Sequence, residues 1–299
     1  MMSNEKELLM QELDHCKAVI EKALELCLLP PGGEKYATLI EAMRYSLLDG
    51  GKRIRAILCL KFCEAVCGSI ENALPAACAI EMLHAYTLIH DDLPCMDDDS
   101  MRRGKPSNHV KYNEYTAVLS GDALQACVFQ VLLSSNLPPE ATVKMAQIMA
   151  EAAGPHGVCG GQYLDLAGEG KALAVDELLE IYSLKTSSLI CTAAVLGVMA
   201  GGGTQEQADS AGQYAGSLGL AFQVRDDILD CTSTEKELGK PIGSDAENEK
   251  TTLVSLLGVE KCEQIVADSS KNAINALDGN FAKTEFLKSF AYYLSDRKN

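Results

Sequence analysis

Five aspartates and three basic residues crowd into the fifteen positions from 91 to 105. They are Asp91, Asp92, Asp97, Asp98, Asp99, Arg102, Arg103 and Lys105. Carboxylates so close together repel one another, and some of them take up a proton unless a cation lies among them. A hard divalent metal ion would be that cation, because carboxylate oxygens are the ligands it prefers. The adjoining arginines indicate that a phosphate group binds beside the metal.

A second acidic segment is FQVRDDILD, at residues 222–230. Asp226 and Asp230 are four residues apart, which places both carboxylates on one side of a helix. One such helix on its own is more often a solvated acidic face. Here both acidic segments end strongly apolar helical runs, where carboxylates are costly without a cation. The two segments together predict metal-binding carboxylates at the mouth of an apolar cavity.

Lys52 and Arg55 follow the pair Gly50-Gly51 at the predicted start of a helix. Glycines let the backbone approach an anion closely, and the start of a helix carries partial positive charge. The pattern favours a phosphate site, and an ordinary basic surface turn is the alternative.

Further lysines lie within or just after apolar helices. Lys185-Thr186 falls in the middle of an apolar segment, where a lysine needs a charged partner. The loop at 238–250 follows the second acidic segment and would bring Lys240 and Lys250 over the mouth as a lid. An ordinary flexible loop is the alternative for that segment.

The chain that positions these residues is predicted to be helical along nearly its whole length. Trp is absent, aromatic residues make up 5%, and no alternating apolar and polar run is long enough to predict a strand. Breaks are predicted at glycine and proline pairs, among them Gly160-Gly161. No linker divides the chain, so residues 1–299 are predicted to form a single domain. Helices are predicted at about 4–28, 35–48, 53–67, 73–92, 112–134, 139–153, 175–200, 206–230, 250–257, 259–277 and 281–296.

The net charge of −16 and the hydrophobic fraction of 47% limit the classes of partner. A chain this acidic is not expected to bind nucleic acid or an anionic membrane. An anionic substrate would meet an opposing field, so metal ions and nearby lysines and arginines must reverse its sign locally. The longest apolar run, 189–200, is too short to cross a bilayer, and no stable membrane insertion is expected.

The twelve cysteines form no C-x-x-C pair. The first residues, MMSNEKELLMQELD, have the pattern of a charged amphipathic helix rather than a secretory leader. A reducing cytoplasm is the expected compartment, with the cysteines as small core residues.

These segments together resemble the trans-isoprenyl diphosphate synthases, and most of all the bacterial farnesyl diphosphate synthases. Two aspartate-rich motifs carry the likeness, D-D-x-x-x-x-D at 91–97 and D-D-x-x-D at 226–230, with RRG after the first. Two departures are Ala56, where the family usually has proline, and Leu253-Val254 in place of a common Tyr-Pro. Other matching segments are GGKRIR at 50–55, HAYTLIHDDLPCMDDDSMRRGKPSNH at 84–109, SGDAL at 120–124, GGQYLDL at 160–166, KT at 185–186 and GK at 239–240.

The resemblance implies an all-α fold, a single large helical bundle around a deep central cavity, assembled as a homodimer. It implies the condensation of isopentenyl diphosphate with dimethylallyl or geranyl diphosphate by ionisation, condensation and elimination. Three Mg²⁺ ions would assist, and Mn²⁺ would be able to replace them. The implied metal ligands are Asp91, Asp97 and Asp226, with Asp92, Asp227 and Asp230 in support.

The resemblance also assigns the substrate contacts. Arg102, Lys185 and Lys240 would bind the allylic diphosphate, and Lys250 would join them from the lid. Thr186 and Gln223 would offer oxygen dipoles to the allylic carbocation, which makes them catalytic together with Lys185, Arg102 and Lys240. The isopentenyl diphosphate would be held by Lys52, Arg55, His84 and Arg103. On its own, His84 would more often be a core histidine.

Product length is predicted from the residues just before Asp91. Tyr86 and Thr87 lie five and four positions earlier, so Tyr86 is roughly 7.5 Å below that carboxylate along the helix. An aromatic residue at an arbitrary helix position is more often simply packed in the core. By resemblance, Tyr86 is the floor of the cavity, and with the lengthening of the first motif by Leu93-Pro94 it predicts farnesyl diphosphate as the main product. Geranylgeranyl diphosphate is the alternative product.

Three other functions compete with this one. A class I terpene cyclase also has an aspartate-rich helix, but its second metal motif contains Asn, Ser and Glu. A non-catalytic prenyl synthase subunit would be expected to have lost acidic motifs, and both are intact here. A calcium-binding structural protein would need loops with Asp-x-Asp-x-Asp-Gly spacing, which the sequence lacks.

Overall fold

The computed structural model describes residues 3–232 and 251–297, most of which are helical. The predicted helices are found there within a few residues of their expected bounds, and the all-α prediction is confirmed. Within the described ranges, α1 to α14 are Ser3–Cys27, Ala37–Leu47, Ile54–Cys67, Leu74–Asp91, Asn108–Lys111, Glu114–Leu133, Pro139–Ala153, Val158–Gly168, Val175–Ile181, Ser188–Ala200, Gln205–Thr232, Leu253–Leu257, Val259–Ala276 and Glu285–Ser295.

Three helices form the centre of the molecule because they are apolar nearly all round. Ten of the fourteen residues of α3 are buried, as are eleven of the eighteen of α4 and nine of the thirteen of α10. α4 packs against α6, and α3 packs against α10. α10 also packs against α11, which in turn packs against α13. Of the two helices that end in acidic motifs, α4 belongs to this centre and α11 packs against it through α10.

A six-residue π-helical segment, Tyr182–Ser187, joins α9 to α10. The predicted helix at 175–200 is confirmed, but its register changes in the middle. A π turn holds one more residue than an α turn, and such turns are frequent at functional sites. Lys185 and Thr186 both lie in this turn.

The break predicted at Gly160-Gly161 is wrong, because α8 runs through both residues. A Cβ atom on Gly161 would come within 2.3 Å of the backbone nitrogen of Lys185. The glycine therefore permits close contact between α8 and the π segment, and it does not form a turn.

A short antiparallel ladder joins Met101–Arg102 to Lys105–Pro106, where no strand was predicted. The two residues between them, Arg103 and Gly104, have φ angles of 52° and 78°. Positive φ at both central positions is the geometry of a two-residue hairpin turn. The hairpin matters for the site because its two arginines reach different partners: Arg102 pairs with Asp92 and Arg103 donates to the carbonyl oxygen of Gly50.

Two helical stretches in the described ranges, Glu114–Leu133 and Val175–Ala200, have the length and composition of a membrane span. The buried share of the apolar window is 39% in the first and 61% in the second. Core helices of soluble proteins pass the same test, so this is weak evidence. The expected lack of membrane insertion stays a prediction.

Candidate active site

The first acidic motif lies in a tight return of the chain at the end of α4. The backbone nitrogen of Asp97 donates to the carbonyl oxygen of Asp91 at 2.9 Å, which brings the two residues together. Burial raises the pKa of Asp91 to about 6; the charge of Lys185 opposes this shift and that of Asp97 adds to it. The end of α4 is therefore a place where a further cation would be stabilised.

Arg102 binds carboxylates at this point. Its Nε donates to Oδ1 of Asp92 at 2.9 Å, and its Nη2 donates to Oδ2 of Asp99 at 3.0 Å. Asp92 is buried, so this pair ties the hairpin to the end of α4. Asp99 is the exposed partner, which an incoming diphosphate would replace at lower cost.

Lys185 finds the charged partner that its apolar surroundings predict. Its Nζ lies 2.6 Å from Oδ2 of Asp165 on α8. The close contact at Gly161 brings α8 and the π segment near enough for this pair. Asp165 was not predicted as a site residue, although GGQYLDL contains it. A lysine in apolar surroundings predicts an acidic partner but does not say where in the chain the partner lies.

The π segment also contacts the second acidic motif. The hydroxyl of Thr186 donates to Oε1 of Gln223 at 2.9 Å, and Nε2 of Gln223 donates to Oδ1 of Asp227 at 3.2 Å. The hydroxyl of Tyr182 and the backbone nitrogen of Leu253 both donate to Oδ2 of Asp227. Asp227 is thus a buried acceptor that joins α11 to the π segment and α12, which suits a supporting role.

Asp226 and Asp230 differ in burial. Asp230 is 3% exposed, whereas the side chain of Asp226 is 41% exposed. Oδ1 of Asp226 pairs with Nη2 of Arg297, whose guanidinium lies 3.9 Å from the ring centroid of Phe222. Arg297 was not predicted as a site residue, because no spacing rule links it to residue 226.

A cavity of about 530 Å³ collects the basic residues from the start of α3, from α4 and from the hairpin turn. Lys52, Arg55, His84 and Arg103, which the resemblance assigns to one diphosphate, all line it. Nη1 of Arg55 lies 3.5 Å from Nε2 of His84. Burial lowers the pKa of each of the four groups, and a neighbouring arginine lowers each one further. A bound anion would relieve both effects, so the cavity is suited to a diphosphate.

Arg53 positions this cavity and was missed by the sequence analysis. Its φ of 51° turns the chain at the start of α3, and its side chain points inward. Nη1 donates to Glu81 of α4 at 2.9 Å, Nε to Glu21 of α1 at 2.8 Å, and Nη2 to the carbonyl oxygen of Leu47 at 2.7 Å. Because Arg53 lies between Lys52 and Arg55 in the sequence, it looks like a third basic residue that binds the phosphate. Only its burial identifies it as an anchor.

Ala56, one of the departures from the family pattern, adds to that anchor. Its backbone nitrogen donates to Oε1 of Glu81 at 3.3 Å. Proline at this position would have no N–H to donate.

The two residues predicted to set product length have different surroundings. Thr87 directs its hydroxyl to the carbonyl oxygen of His84 in its own helix, at 2.8 Å. Tyr86 is 9% exposed, and its ring meets the ring of His90 edge-on with the centroids 4.9 Å apart. Its hydroxyl lies 3.4 Å from Sγ of Cys159 on α8.

A cavity of about 830 Å³ lies between α6, α7, α8 and the π segment. Its lining is mainly apolar and includes Phe129, Ala150, Ala153, Cys159, Leu164 and Leu184. Leu164 and Leu184 immediately precede Asp165 and Lys185 in the sequence, so the cavity begins next to that ion pair. Its volume is within the range of small-molecule sites.

Not every predicted residue can be placed. Lys240 and Lys250, with the predicted lid at 238–250, lie outside the described residues. The other predicted site residues are described, and their contacts bring them together around the ends of α4 and α11. Their individual roles stay predictions.

The site offers oxygen ligands for Mg²⁺ without a ready-made metal centre. Within residues 3–232 and 251–297, no group of three or more His, Cys, Asp or Glu side chains is arranged to hold a metal ion. Mg²⁺ commonly binds through one or two carboxylates and completes its coordination with water and substrate phosphates. Burial raises the pKa of Asp91, and a bound cation would stabilise its charged form. The donors present therefore fit Mg²⁺ that binds together with a diphosphate.

Comparison with known proteins identifies the relatives of this chain. Residues 36–290 match the family model for Polyprenyl synthetase. A chloroplastic geranylgeranyl pyrophosphate synthase of Capsicum annuum is 45% identical over 263 residues, which cover 87% of this chain and 71% of that protein. The mitochondrial geranylgeranyl pyrophosphate synthase 10 of Arabidopsis thaliana is 44% identical over 288 residues, 94% of this chain and 83% of that protein.

Solved structures agree with these relatives. The geranylgeranyl pyrophosphate synthetase from Pyrococcus horikoshii has a TM-score of 0.89 at 28% identity. The FPP/GFPP synthase from Zymomonas mobilis has a TM-score of 0.83 at 33% identity. Both alignments cover 99% of this chain and 100% of the other. The chain therefore belongs to the polyprenyl synthetase family, the trans-isoprenyl diphosphate synthases, and is a trans-prenyltransferase.

Proposed function

We propose that the protein condenses isopentenyl diphosphate with allylic diphosphates in the presence of Mg²⁺, and that geranylgeranyl diphosphate is its main product. The observation that carries the reaction is the placement of an acidic site and a basic cavity on one helix. His84 lines the basic cavity and Asp91 begins the acidic motif, seven residues later on α4. Seven residues rise roughly 10.5 Å, which separates two diphosphate groups without isolating them.

The two ends of the site have different tasks in this reaction. The basic cavity holds the isopentenyl diphosphate, whose phosphate group stays attached throughout. Asp91, Asp97 and Asp226 would hold Mg²⁺, which supplies positive charge to the allylic diphosphate as it leaves. Lys185 adds a fixed positive charge on the same side, and Asp165 keeps its ammonium group in place.

Polar side chains beside Lys185 would stabilise the carbocation that ionisation produces. The bond between the allylic carbon and its diphosphate oxygen breaks, a carbon–carbon bond to isopentenyl diphosphate forms, and a proton passes to the released diphosphate. Thr186 and Gln223 line the small cavity that Lys185 also lines, and their oxygens would stabilise the carbocation there.

Farnesyl diphosphate is the second candidate product, and Tyr86 is the observation that favours it. A bulky side chain roughly 7.5 Å below Asp91 would stop a growing chain early. The relatives from Capsicum annuum and Arabidopsis thaliana are named as geranylgeranyl pyrophosphate synthases, which favours the longer product. We therefore place the longer product first and reverse the order of the sequence-based prediction.

One assay tests both levels of the proposal. Purified protein is incubated with isopentenyl and dimethylallyl diphosphates and Mg²⁺, and the products are sized by mass spectrometry. A twenty-carbon diphosphate is expected, and a fifteen-carbon end product would restore the farnesyl assignment. Cyclised hydrocarbon would instead indicate a terpene cyclase, and no turnover a non-catalytic subunit. Omission of Mg²⁺ should abolish activity and Mn²⁺ should restore it.

A homodimer is the proposed assembly. α6 exposes apolar side chains at Tyr115, Val118 and Leu119. A second copy of the chain would cover this face, which would otherwise remain in water. Light scattering after gel filtration should give twice the monomer mass, and Leu119→Lys should shift it toward the monomer. A monomeric wild type would contradict this assembly.

The compartment stays a proposal from cysteine usage. All twelve cysteines are free thiols, which suits a reducing environment such as the cytoplasm. The named relatives are chloroplastic and mitochondrial proteins. Cell fractionation with an antibody against the protein would decide.

A further inference from the structure

Gln162 on α8 is a buried amide whose two polar atoms have no hydrogen-bond partner among the described residues. The residue is 7% exposed, and neither its Nε2 nor its Oε1 is paired within residues 3–232 and 251–297. Because both atoms lack a partner, exchanging the nitrogen and oxygen positions of the amide would not change this. A buried amide without partners costs free energy, and such a group in a folded protein often serves a ligand or catalysis.

The geometry of α8 shows which way the Gln162 side chain leaves the helix. Cys159 and Asp165 lie three residues before and after it, so each is roughly 60° away around the helix. The Cys159 sulfur lies 3.4 Å from the hydroxyl of Tyr86 on α4, and Asp165 pairs with Lys185 of the π segment at 2.6 Å. The side chain of Gln162 therefore points between these two contacts, into the region between α4 and the π segment.

Asp91 lies within electrostatic reach of both residues that bound this region. Burial raises the pKa of Asp91, and the charge of Lys185 lowers it. Burial and the contact with Cys159 raise the pKa of Tyr86, and the charge of Asp91 raises it further. Gln162 therefore faces the place where the proposed function puts the reacting end of the allylic diphosphate.

Gln223 carries the same functional group, but its partners are in the protein. Its Oε1 accepts from the hydroxyl of Thr186, and its Nε2 donates to Asp227. Gln162 keeps both its donor and its acceptor unused among the described residues. A ligand that satisfies it must therefore accept a hydrogen bond at one point and carry positive charge or a donor at the next.

We propose that Gln162 is a further catalytic residue, whose amide contacts the allylic substrate at the bond that breaks. This inference rests on the proposed function. As the bond breaks, both of its electrons go to the diphosphate oxygen, which becomes negative, and the allylic carbon becomes positive. The amide NH₂ donates to that oxygen, and the amide oxygen faces that carbon. One substrate thus satisfies both unpaired atoms of Gln162.

The amide acts more strongly on the transition state than on the bound substrate. Its two ends carry partial charges of opposite sign, and the charges on carbon and oxygen that they face grow only as the bond breaks. A dipole fixed in a buried position also needs no reorganisation at the moment of reaction. Gln162 is therefore expected to affect kcat and to have little effect on substrate binding.

Gln162→Met tests this role, because methionine has nearly the same length and lacks both polar atoms. The kcat should fall by roughly a hundredfold to a thousandfold, the effect of losing one transition-state hydrogen-bond donor. The KM values for both substrates should stay within about threefold. The melting temperature should rise by about 2 °C or more, because two unpaired buried atoms are removed. A packing role would not combine lost activity with gained stability.

Gln264→Met is the matched control. Gln264 is exposed on α13, where its Nε2 donates to Asp268 at 3.0 Å, so the same substitution there should change neither kcat nor the melting temperature upward. Gln162→Glu keeps an oxygen toward the carbon but replaces the donor with negative charge. It should therefore lower kcat and also raise the KM for the allylic diphosphate, which it repels. Initial rates at saturating Mg²⁺ and thermal melts followed by circular dichroism give these values.

The outcomes distinguish this inference from the function on which it rests. A wild type that makes no prenyl diphosphate would remove both. A wild type that elongates normally, with kcat of Gln162→Met within about threefold of it, would overturn the inference alone. A Gln162→Met variant that melts below the wild type would also overturn it, since the loss of activity would then reflect disturbed packing of α8.

Discussion

The basic cavity and the acidic site balance their charges in opposite ways. In the basic cavity, Lys52, Arg55 and Arg103 face one another with lowered pKa values, and Arg53 anchors them from behind. In the acidic site, carboxylates already have cations: Arg102 lies on Asp92, Lys185 on Asp165 and Arg297 on Asp226. The cavity for the group that stays attached is ready for an anion. The site for the group that leaves must exchange partners when metal and diphosphate arrive.

The largest effects should come from carboxylates that would bind metal, compared with an exposed carboxylate that only pairs with Arg102. Asp91→Asn and Asp226→Asn should each lower kcat by about a thousandfold or more, because they remove stabilisation of the leaving charge. Asp99→Asn, on the exposed side of Arg102, should leave kcat within about tenfold. Steady-state kinetics at saturating Mg²⁺ would measure this, and similar losses in all three variants would erase the distinction.

The anchor behind the basic cavity should matter for stability. Arg53→Gln leaves Glu81 buried without its cation and should lower the free energy of unfolding by about 3–5 kcal/mol. Arg225→Gln is the control, because Arg225 pairs with Glu263, whose side chain is 46% exposed, and its loss should cost about 1 kcal/mol or less. Urea denaturation followed by circular dichroism compares the two. Equal losses of stability in the two variants would mean that the pair of Arg53 with Glu81 contributes no more than an exposed ion pair.

The two diphosphate sites should separate in their kinetics. Lys52→Ala should raise the KM for isopentenyl diphosphate by roughly tenfold to a hundredfold, the effect of one charge-assisted hydrogen bond. Lys185→Ala should instead depress kcat, since negative charge grows on the group it faces. The reverse pattern in initial-rate measurements would show that the two sites have been exchanged.

The smallest effect concerns Asp91 in metal-free protein. Its raised pKa means that the folded state favours the protonated carboxyl, so its contribution to stability is complete below the ordinary value of 3.8 and is lost as the pH rises through about 6. In EDTA, Asp91→Asn should therefore be more stable than the wild type above pH 6, by at most about 3 kcal/mol. The advantage should shrink as the pH falls from 6 toward 4. Thermal melts at pH 5 and 8 would test it, and a pH-independent difference would count against the burial of this charge.

The sequence predicts well what depends on neighbours along the chain. Helical periodicity predicts α3, α4 and α11, and the spacing of Asp226 and Asp230 places them on one helix. The sequence also predicts that Lys185 needs a charged partner. What sequence cannot supply is the identity of partners far away, such as Asp165 for Lys185, Glu21 and Glu81 for Arg53, or Arg297 for Asp226. These pairings depend on how helices cross.

One sequence-based prediction is wrong, and the prediction of product length stays a prediction. Gly160-Gly161 looks like a break because glycine pairs usually end helices, but here a glycine lets α8 approach Lys185. Tyr86 predicts a short product because its size can be read from the sequence, whereas the names of the relatives favour a longer one. The contact between Tyr86 and Cys159 has no signature in local sequence.

The π turn at Tyr182–Ser187 has a consequence for the evolution and engineering of this protein. One extra residue in a turn rotates everything after it by about 100°, so deletion of a single residue there would restore a regular α-helix and turn Lys185 away from Asp165. A regular helix has better hydrogen-bond geometry, so selection for heat resistance alone would tend to erase this turn. Any stabilised variant of the protein should therefore keep residues 182–187 unchanged, and sequences that lack one residue in this stretch should be suspected of having lost catalysis while keeping the fold.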